Sequence, residues 1–356
     1  MLLDNNEELS TFSLRYSIHP LTRSFANAQL RNAQDFEKLA RLRWSAFYLD
    51  FTARYLVREQ PAQRFWNTLI IRGFTPIDSE WPNLKRVLEW ADQEGQDQIL
   101  VEMMLLLAHY MGWHFLITER LYYARKAAEA ADILNRKEDA VLFRVDSLGW
   151  ILIDAGHLTD ARKEITTGLA IAQTLEVSNP EANDLIALAT TFLAKVSMEE
   201  GNIPEASALI SKAKSLASIP VIKCRTDVIA GDIAYKMKNN AEAIKLYENA
   251  YRTGQQYGSE GEDIDLHYRL GSANLAIGNL EAAEAHFTMA LQIEHRYITH
   301  ETLYAKYGLA RIALAHGDKG RARCLAREVV NDFSPAVSSH QLLNQVQAFL
   351  LALDEG

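Results

Sequence analysis

One ruler can be laid along this chain five times. Counted from Gly271, Gly278 lies seven positions on, Ala283 twelve, Phe287 sixteen and Ala290 nineteen. The same offsets from Gly149 meet Gly156, Ala161, Ile165 and Gly168, and from Ala194 they meet Gly201, Ala206, Ile210 and Ala213. From Gly231 they give Lys238, Ala243, Tyr247 and Ala250, and from Ala310 they give Gly317, Ala322, Ala326 and Val329. Small residues at fixed offsets let two antiparallel helices approach closely, and a glycine between them ends the first helix. Self-similarity of this kind predicts stacked helical hairpins rather than one closed core. Within this register Ala283→Leu should overpack its hairpin by about 1–3 kcal/mol, while Ala285 on the other side of the helix should tolerate the change.

The second-helix alanines Ala161, Ala206, Ala243, Ala283 and Ala322 are 45, 37, 40 and 39 residues apart, so length varies only between hairpins. The longest joint, Val177 to Asn183, contains Asn-Pro and reads as a loop; the others read as extended helices. Periods near 40 also occur in HEAT and armadillo repeats, but the Gly/Ala ruler resembles the tetratricopeptide repeat. The expected fold is an all-α, right-handed superhelical solenoid, with five tetratricopeptide-like repeats over residues 139–336. A degenerate hairpin over 97–138 should run from Asp97 through Gly112 to about Leu134, with Leu105, Ile117 and Leu121 where small residues would stand. Ser339 to Leu353 is amphipathic at helical spacing and, within 337–356, predicts a capping helix over the last repeat.

The 356 residues are 48% apolar and 23% charged, with only eight prolines, which fits a chain that buries a sizeable core. A formal charge of −9 and no long Lys/Arg block argue against nucleic acid or anionic membrane as partner. The start, MLLDNNEEL, lacks the features of a secretion signal. The most apolar window, Ile99 to Trp113, is too short to span a bilayer and carries Glu102 and His109. A soluble, cytoplasmic location is expected. Cys224 and Cys324, with no CxxC partner, are expected to be reduced, partly buried and inert.

Upstream of about Gln96 the ruler fails, although Asp35 to Glu59 and Pro82 to Glu94 keep helical apolar spacing. Residues 31–96 are expected to form a helical linker module, with Trp44, Phe47, Tyr48, Phe51 and Tyr55 as a packing stripe. YSIHPLTRSFANAQL, Tyr16 to Leu30, resembles the last strand and final helix of the winged-helix domain of STAND (NB-ARC-type) signalling ATPases. EWPNLKRVLEWA, Glu80 to Ala91, resembles the segment that leads from their nucleotide-binding core into a tetratricopeptide sensor. The resemblance implies a winged-helix remnant over 1–30 and a sensor fragment or truncated relative. No GxxxxGK[ST] phosphate loop occurs, and GDKGRAR at Gly317 falls on a repeat turn. An ATPase core, as a nucleotide-binding module, would lie outside this chain.

No catalytic motif has an address here. His295, His300 and Glu301 lack the four-residue ligand spacing of HExxH, and GSEGEDID, Gly258 to Asp265, lacks the ligand pattern of an EF-hand. No metal, no cofactor and no enzymatic activity are expected. In tetratricopeptide proteins the first helix of each hairpin lines the concave side, and the resemblance implies which positions face inward. These are Phe143, Asp146, Trp150 and Asp154 in the first repeat, Thr191, Lys195 and Glu199 in the second, and Arg225, Asp232, Tyr235 and Lys236 in the third. The fourth offers Asp265 and Tyr268, and the fifth Tyr304, Tyr307 and Arg311. Such a lining of aromatic rings, arginine and paired charges has the composition of binding hot spots. The expected function is capture of a protein segment, peptide or small molecule in this groove, within a signalling or defence regulator of bacterial type. A scaffold that clamps peptide C-termini with Lys195, Arg225 and Lys236 is the alternative. Substituting Trp150, Tyr268 and Arg311 together is expected to abolish capture and leave the melt nearly unchanged.

Overall fold

A computed structural model describes residues 19–56, 74–114, 116–175, 179, 181–257, 263–292, 300–333 and 340–355. Helices account for nearly all of these residues, and no strand occurs among them. The chain divides into a first unit, Met1–Asp50, and a second, Phe51–Gly356.

In the first unit, α1 (Pro20–Arg31) opens with proline in its first turn, where a missing N–H costs nothing, and the His19 imidazole accepts from the Leu21 N–H at 3.3 Å. Helix α2 (Gln34–Tyr55) starts in this unit and ends in the second. On the first unit's part of it Tyr48 is buried, with Trp44 edge-on at 5.9 Å, while Phe47 stays exposed. The strand expected before α1 lies almost wholly outside the described residues.

The second unit continues with α3 (Thr75–Gln93) and then pairs its helices in order. α4 (Asp97–Trp113) pairs with α5 (Ile117–Ile133). The next hairpin has a leading arm of α6 (Lys137–Leu142), a π-helical segment (Phe143–Gly149) and α7 (Trp150–Asp154), which packs on α8 (Leu158–Ala172). Then α9 (Ala182–Glu199) pairs with α10 (Ile203–Leu216), and α11 (Pro220–Lys236) with α12 (Asn240–Tyr257). Finally α13 (Asp263–Ala276) pairs with α14 (Leu280–Gln292), and α15 (His300–Ala315) with α16 (Lys319–Asp332). Helix α17 (His340–Glu355) sets Leu342 and Val346 into a cluster with Leu303, Ala310, Ala326 and Val329, so it covers the last hairpin.

The seventh ruler position is the turn. Gly156, Gly201, Gly278 and Gly317 take φ between 77° and 83°, and Lys238 holds the same place at 62°. This left-handed residue ends each leading helix. The next residue, Asn202, Asn239, Asn279 or Asp318, turns its side-chain oxygen onto a backbone N–H three residues on, at 2.8–3.5 Å. It thereby satisfies an orphan donor at the start of the second helix. A two-residue unit thus stops one helix and starts its partner.

The first ruler position is small for a different reason than mutual approach of small residues: it receives the large side chain at position sixteen. A methyl group on Gly271 would lie 2.6 Å from the Phe287 ring, and one on Gly149 would lie 2.6 Å from Ile165. Phe287 is fully buried with Ala283 and Ala290, against Ala305, Leu309 and Ile312 of the next hairpin, so one ring joins two repeats. Ala285 is exposed.

Gly112, through which the degenerate hairpin is expected to run, lies in the last turn of α4, where its missing side chain leaves room for Arg120. Two expectations need correction. Phe143, expected on the inner wall, is 1% exposed: it opens the π-helical segment and continues the buried run Ala140–Leu142. Cys224 is buried, with its thiol directed at the Ala250 carbonyl at 3.4 Å, but Cys324 is exposed. His295, Gly258 to Glu262, and Val177, Ser178 and Pro180 of the Val177–Asn183 joint lie outside the described residues.

Candidate functional site: the leading-helix face

Leading helices of successive hairpins touch one another, α9 with α11 and α13 with α15. Their charged side chains therefore meet across repeat boundaries. The groups singled out from sequence fall mostly into such lateral pairs.

The deepest is Asp146. Its carboxylate is paired with Arg225, and His109 Nε2 of α4 stands 3.6 Å away. Arg120, from α5, donates through Nη2 to the Asp146 carbonyl at 3.3 Å. Burial alone would raise the Asp146 pKa, but Arg225, then His109 and Arg120, hold it below the usual carboxylate range, so the group is an anion.

One layer on, Lys195 donates to Asp154 at 3.1 Å and lies over the Trp150 ring. Trp150 meets Phe192 edge-on at 5.5 Å. Thr191, also expected to face inward, is buried and shares a hydrogen bond with Thr226 at 3.0 Å. Lys236 then reaches back to Glu199 at 2.9 Å. Asp232 accepts Arg269 Nε at 2.7 Å, Arg269 Nη2 at 3.1 Å and the Tyr247 hydroxyl at 2.7 Å, while Arg269 also pairs with Asp265. The two-pronged contact fixes the planes of both groups. Burial would lower the Arg269 pKa, but Asp232 raises it well above the ordinary value.

Toward the far end the wall is aromatic. Tyr268 and Tyr304 lie 5.4 Å apart, and Tyr307 meets Phe349 of α17 at 5.6 Å. Burial pushes the Tyr268 and Tyr307 hydroxyl pKa values up, so both are neutral donors. Tyr235 and Arg311 are exposed. Sequence reasoning missed His109, Arg120 and Arg269. Arg269 stands four residues after Asp265, a helical ion-pair spacing that marks it, and His109 holds a leading-helix place in the degenerate hairpin. Arg120 sits on a trailing helix and has no such signal.

This face can recognise shape, aromatic surface and charge. Among the described residues no group of three or more His, Cys, Asp or Glu side chains could hold a metal ion, and no helix is long and apolar enough to cross a membrane.

Residues 224–293, covering α11 to α14, match the tetratricopeptide repeat family. Over 93% of its length the chain is 29% identical to the transcription activator GutR of Bacillus subtilis (strain 168), and it spans 40% of that protein's length. A Pyrococcus horikoshii signal transduction ATPase with numerous domains (STAND), with a tetratricopeptide repeat sensor, superposes with a TM-score of 0.51 at 14% identity. That match covers 86% of this chain and 41% of the other. Yeast Tom70 gives a TM-score of 0.51 at 13% identity over 98% of this chain and 77% of its own. Both structural likenesses speak for the fold, and the architecture is that of an all-α, tetratricopeptide-like superhelix.

Proposed function

We propose that this chain is the ligand-sensing and interaction module of a STAND-type transcription regulator. Its leading-helix face captures a protein segment or small molecule in the concavity of the solenoid. The observation that carries the reading is one alignment: nearly the whole chain matches a transcription activator of which it spans two fifths. The likeness to a STAND protein with a tetratricopeptide sensor points the same way at the level of fold. A nucleotide-binding module would then belong to the remainder of such a protein. The ligand must bind one conformation of the regulator better than the other, or it shifts nothing.

The alternative, a clamp for peptide C-termini, is weakened by the pairing of its three cations. Lys195 is bound to Asp154, Arg225 to Asp146 and Lys236 to Glu199, so they do not converge on a free carboxylate.

The test is a thermal-shift screen of metabolites and short peptides against the chain, repeated with Tyr235→Ser/Arg311→Ser on the leading helices and with Arg252→Ser/Met289→Ser on trailing helices. Hits should be lost in the first double variant and kept in the second. The reverse pattern sinks the groove.

A further inference from the structure

Of the four cations expected to face inward, Lys195, Arg225 and Lys236 are each paired with a carboxylate. Arg311 is exposed and makes no hydrogen bond or ion pair to any described residue. The stagger of the leading helices explains why. Phe192, two before its ruler residue Ala194, meets Trp150, one after Gly149. Arg269, two before Gly271, meets Asp232, one after Gly231. Tyr304, six before Ala310, meets Tyr268, three before Gly271. In each of these joints the later helix is set back by three ruler positions. Lys195, one after Ala194, accordingly reaches Trp150 and Asp154, one and five after Gly149. Arg311, one after Ala310, has the same place in the last joint, and the residues that correspond to Trp150 and Asp154 are Ser272 and Ala276. The match extends to the helix ends. Asp154 closes α7 and Ala276 closes α13, each two residues before a turn glycine with φ of 77° or 79°.

At the first joint, then, one cation has a ring against it and a carboxylate beside it, both supplied by the chain. At the last joint the cation remains and both partners are replaced by small side chains. Arginine suits the two missing groups better than lysine does, because a guanidinium stacks flat on an aromatic face and its fork of N–H donors matches two carboxylate oxygens. The setting is aromatic. Helices α13 and α15 touch, and Tyr307 stands one turn before Arg311 on the same face. Burial raises the pKa of the Tyr307 hydroxyl while Arg311 lowers it, so ring and cation belong to one patch. Ser272 is half-buried and Ala276 exposed, which leaves the place open to solvent.

We propose that the joint between the fourth and fifth repeats is a subsite for an aromatic carboxylate. The ligand's ring lies against Arg311 over Ser272, as the Trp150 ring lies against Lys195, and its acid group takes the place of the Asp154 side chain, over Ala276. One helical turn separates those two places, about 5–6 Å between Cβ atoms, so a stem of about two or three atoms between ring and acid spans them. The inference rests on the groove reading and names the chemistry of one end of the captured ligand.

Titration calorimetry with indole-3-propionate, indole-3-propionamide and propionate tests it. The first carries ring and acid, the second the ring alone and the third the acid alone. Indole-3-propionate should bind at one site per chain, and each of the others about tenfold more weakly or worse. Arg311→Met should weaken indole-3-propionate by about tenfold or more. Ala276→Asp, which gives Arg311 the internal carboxylate that Lys195 already has, should weaken it as much while melting no lower than wild type, because the new pair is exposed. Arg327→Met, exposed on the trailing helix α16, should bind as wild type does. Absence of indole-3-propionate binding, equal binding of the propionamide, or wild-type affinity in Arg311→Met or Ala276→Asp overturns the subsite. Screening hits that are lost in Tyr235→Ser alone, yet bind Arg311→Met and Ala276→Asp as tightly as wild type, would leave the groove standing and remove the subsite from it.

Discussion

Lys195 sits over the ring of Trp150, its Nζ 3.8 Å from the ring centroid, and the same ammonium donates to Asp154. Lys195 comes from the second repeat and the other two from the first, so the contact is a joint between hairpins. The two halves differ in strength. The Asp154 side chain is half exposed, so Asp154→Asn should change stability by less than about 1 kcal/mol. Trp150→Ala should cost about 2 kcal/mol or more, because the ring also packs on Phe192. A double-mutant cycle of Trp150→Ala with Lys195→Met should return a coupling of about 0.5–2 kcal/mol. Strict additivity would reduce the ring contact to coincidence. Trp150 and Tyr268 both pack against neighbours, which is why a triple substitution including them cannot leave the melt unchanged and why capture is better tested at Tyr235 and Arg311.

The turn prediction concerns Lys238, which takes the left-handed conformation that glycine adopts in four of the five repeats. A side chain there costs about 1–2 kcal/mol, offset in part by the larger unfolded-state freedom of glycine. Lys238→Gly should therefore stabilise by up to about 1 kcal/mol. Gly278→Ala should destabilise by a similar amount or more. Chemical denaturation of both variants checks the pair, and the same sign for both would contradict the turn assignment.

Much of this was legible in the sequence, because the ruler records steric requirements that hold in every repeat. Gly278 and Gly317 announce left-handed turns, Asn279 and Asp318 announce the caps that follow, and Gly271 announces the aromatic ring sixteen residues later. Where one position serves another purpose, the pattern is silent. Gly112 carries no sign of its role in the sequence: it lies in the last turn of a helix and accommodates a guanidinium from the next helix. The π-helical segment was illegible for a related reason: the apolar spacing of Phe143, Val145 and Leu148 suits a buried helix of either winding. Lateral pairs such as Asp232 with Arg269 join residues 37 apart, and only the stacking of repeats brings them together.

Phe287 yields a packing prediction with an internal rescue. Methyl groups on Gly271 would meet its ring, as would those on Gly308 from the next hairpin. Gly271→Ala should cost about 1–3 kcal/mol through overpacking. Phe287→Leu, which empties part of the space, should cost less in the Gly271→Ala background than in wild type. Equal costs in both backgrounds would separate the two positions.

His267 and His286, on the two helices of the fourth repeat, face each other with Nδ1 atoms 3.1 Å apart, beside the Tyr251 ring. One Nδ1–H must donate to the other Nδ1, so the accepting imidazole must be neutral and the pair cannot hold two protonated rings. Burial first, then His286, lowers the His267 pKa to about 4; burial also lowers that of His286, with Glu248 opposing. An unfolded histidine titrates near 6.5, so between there and about pH 4 the unfolded chain binds protons that the folded chain refuses. Stability from this pair is whole above about pH 6.5 and drains away as the pH falls toward 4. Between pH 7 and pH 4.5 wild type should lose about 2 kcal/mol more than His267→Asn, in which the imidazole pair is gone. Denaturation midpoints measured at both pH values decide the matter, and parallel losses in the two proteins would show that these imidazoles titrate as freely folded as unfolded.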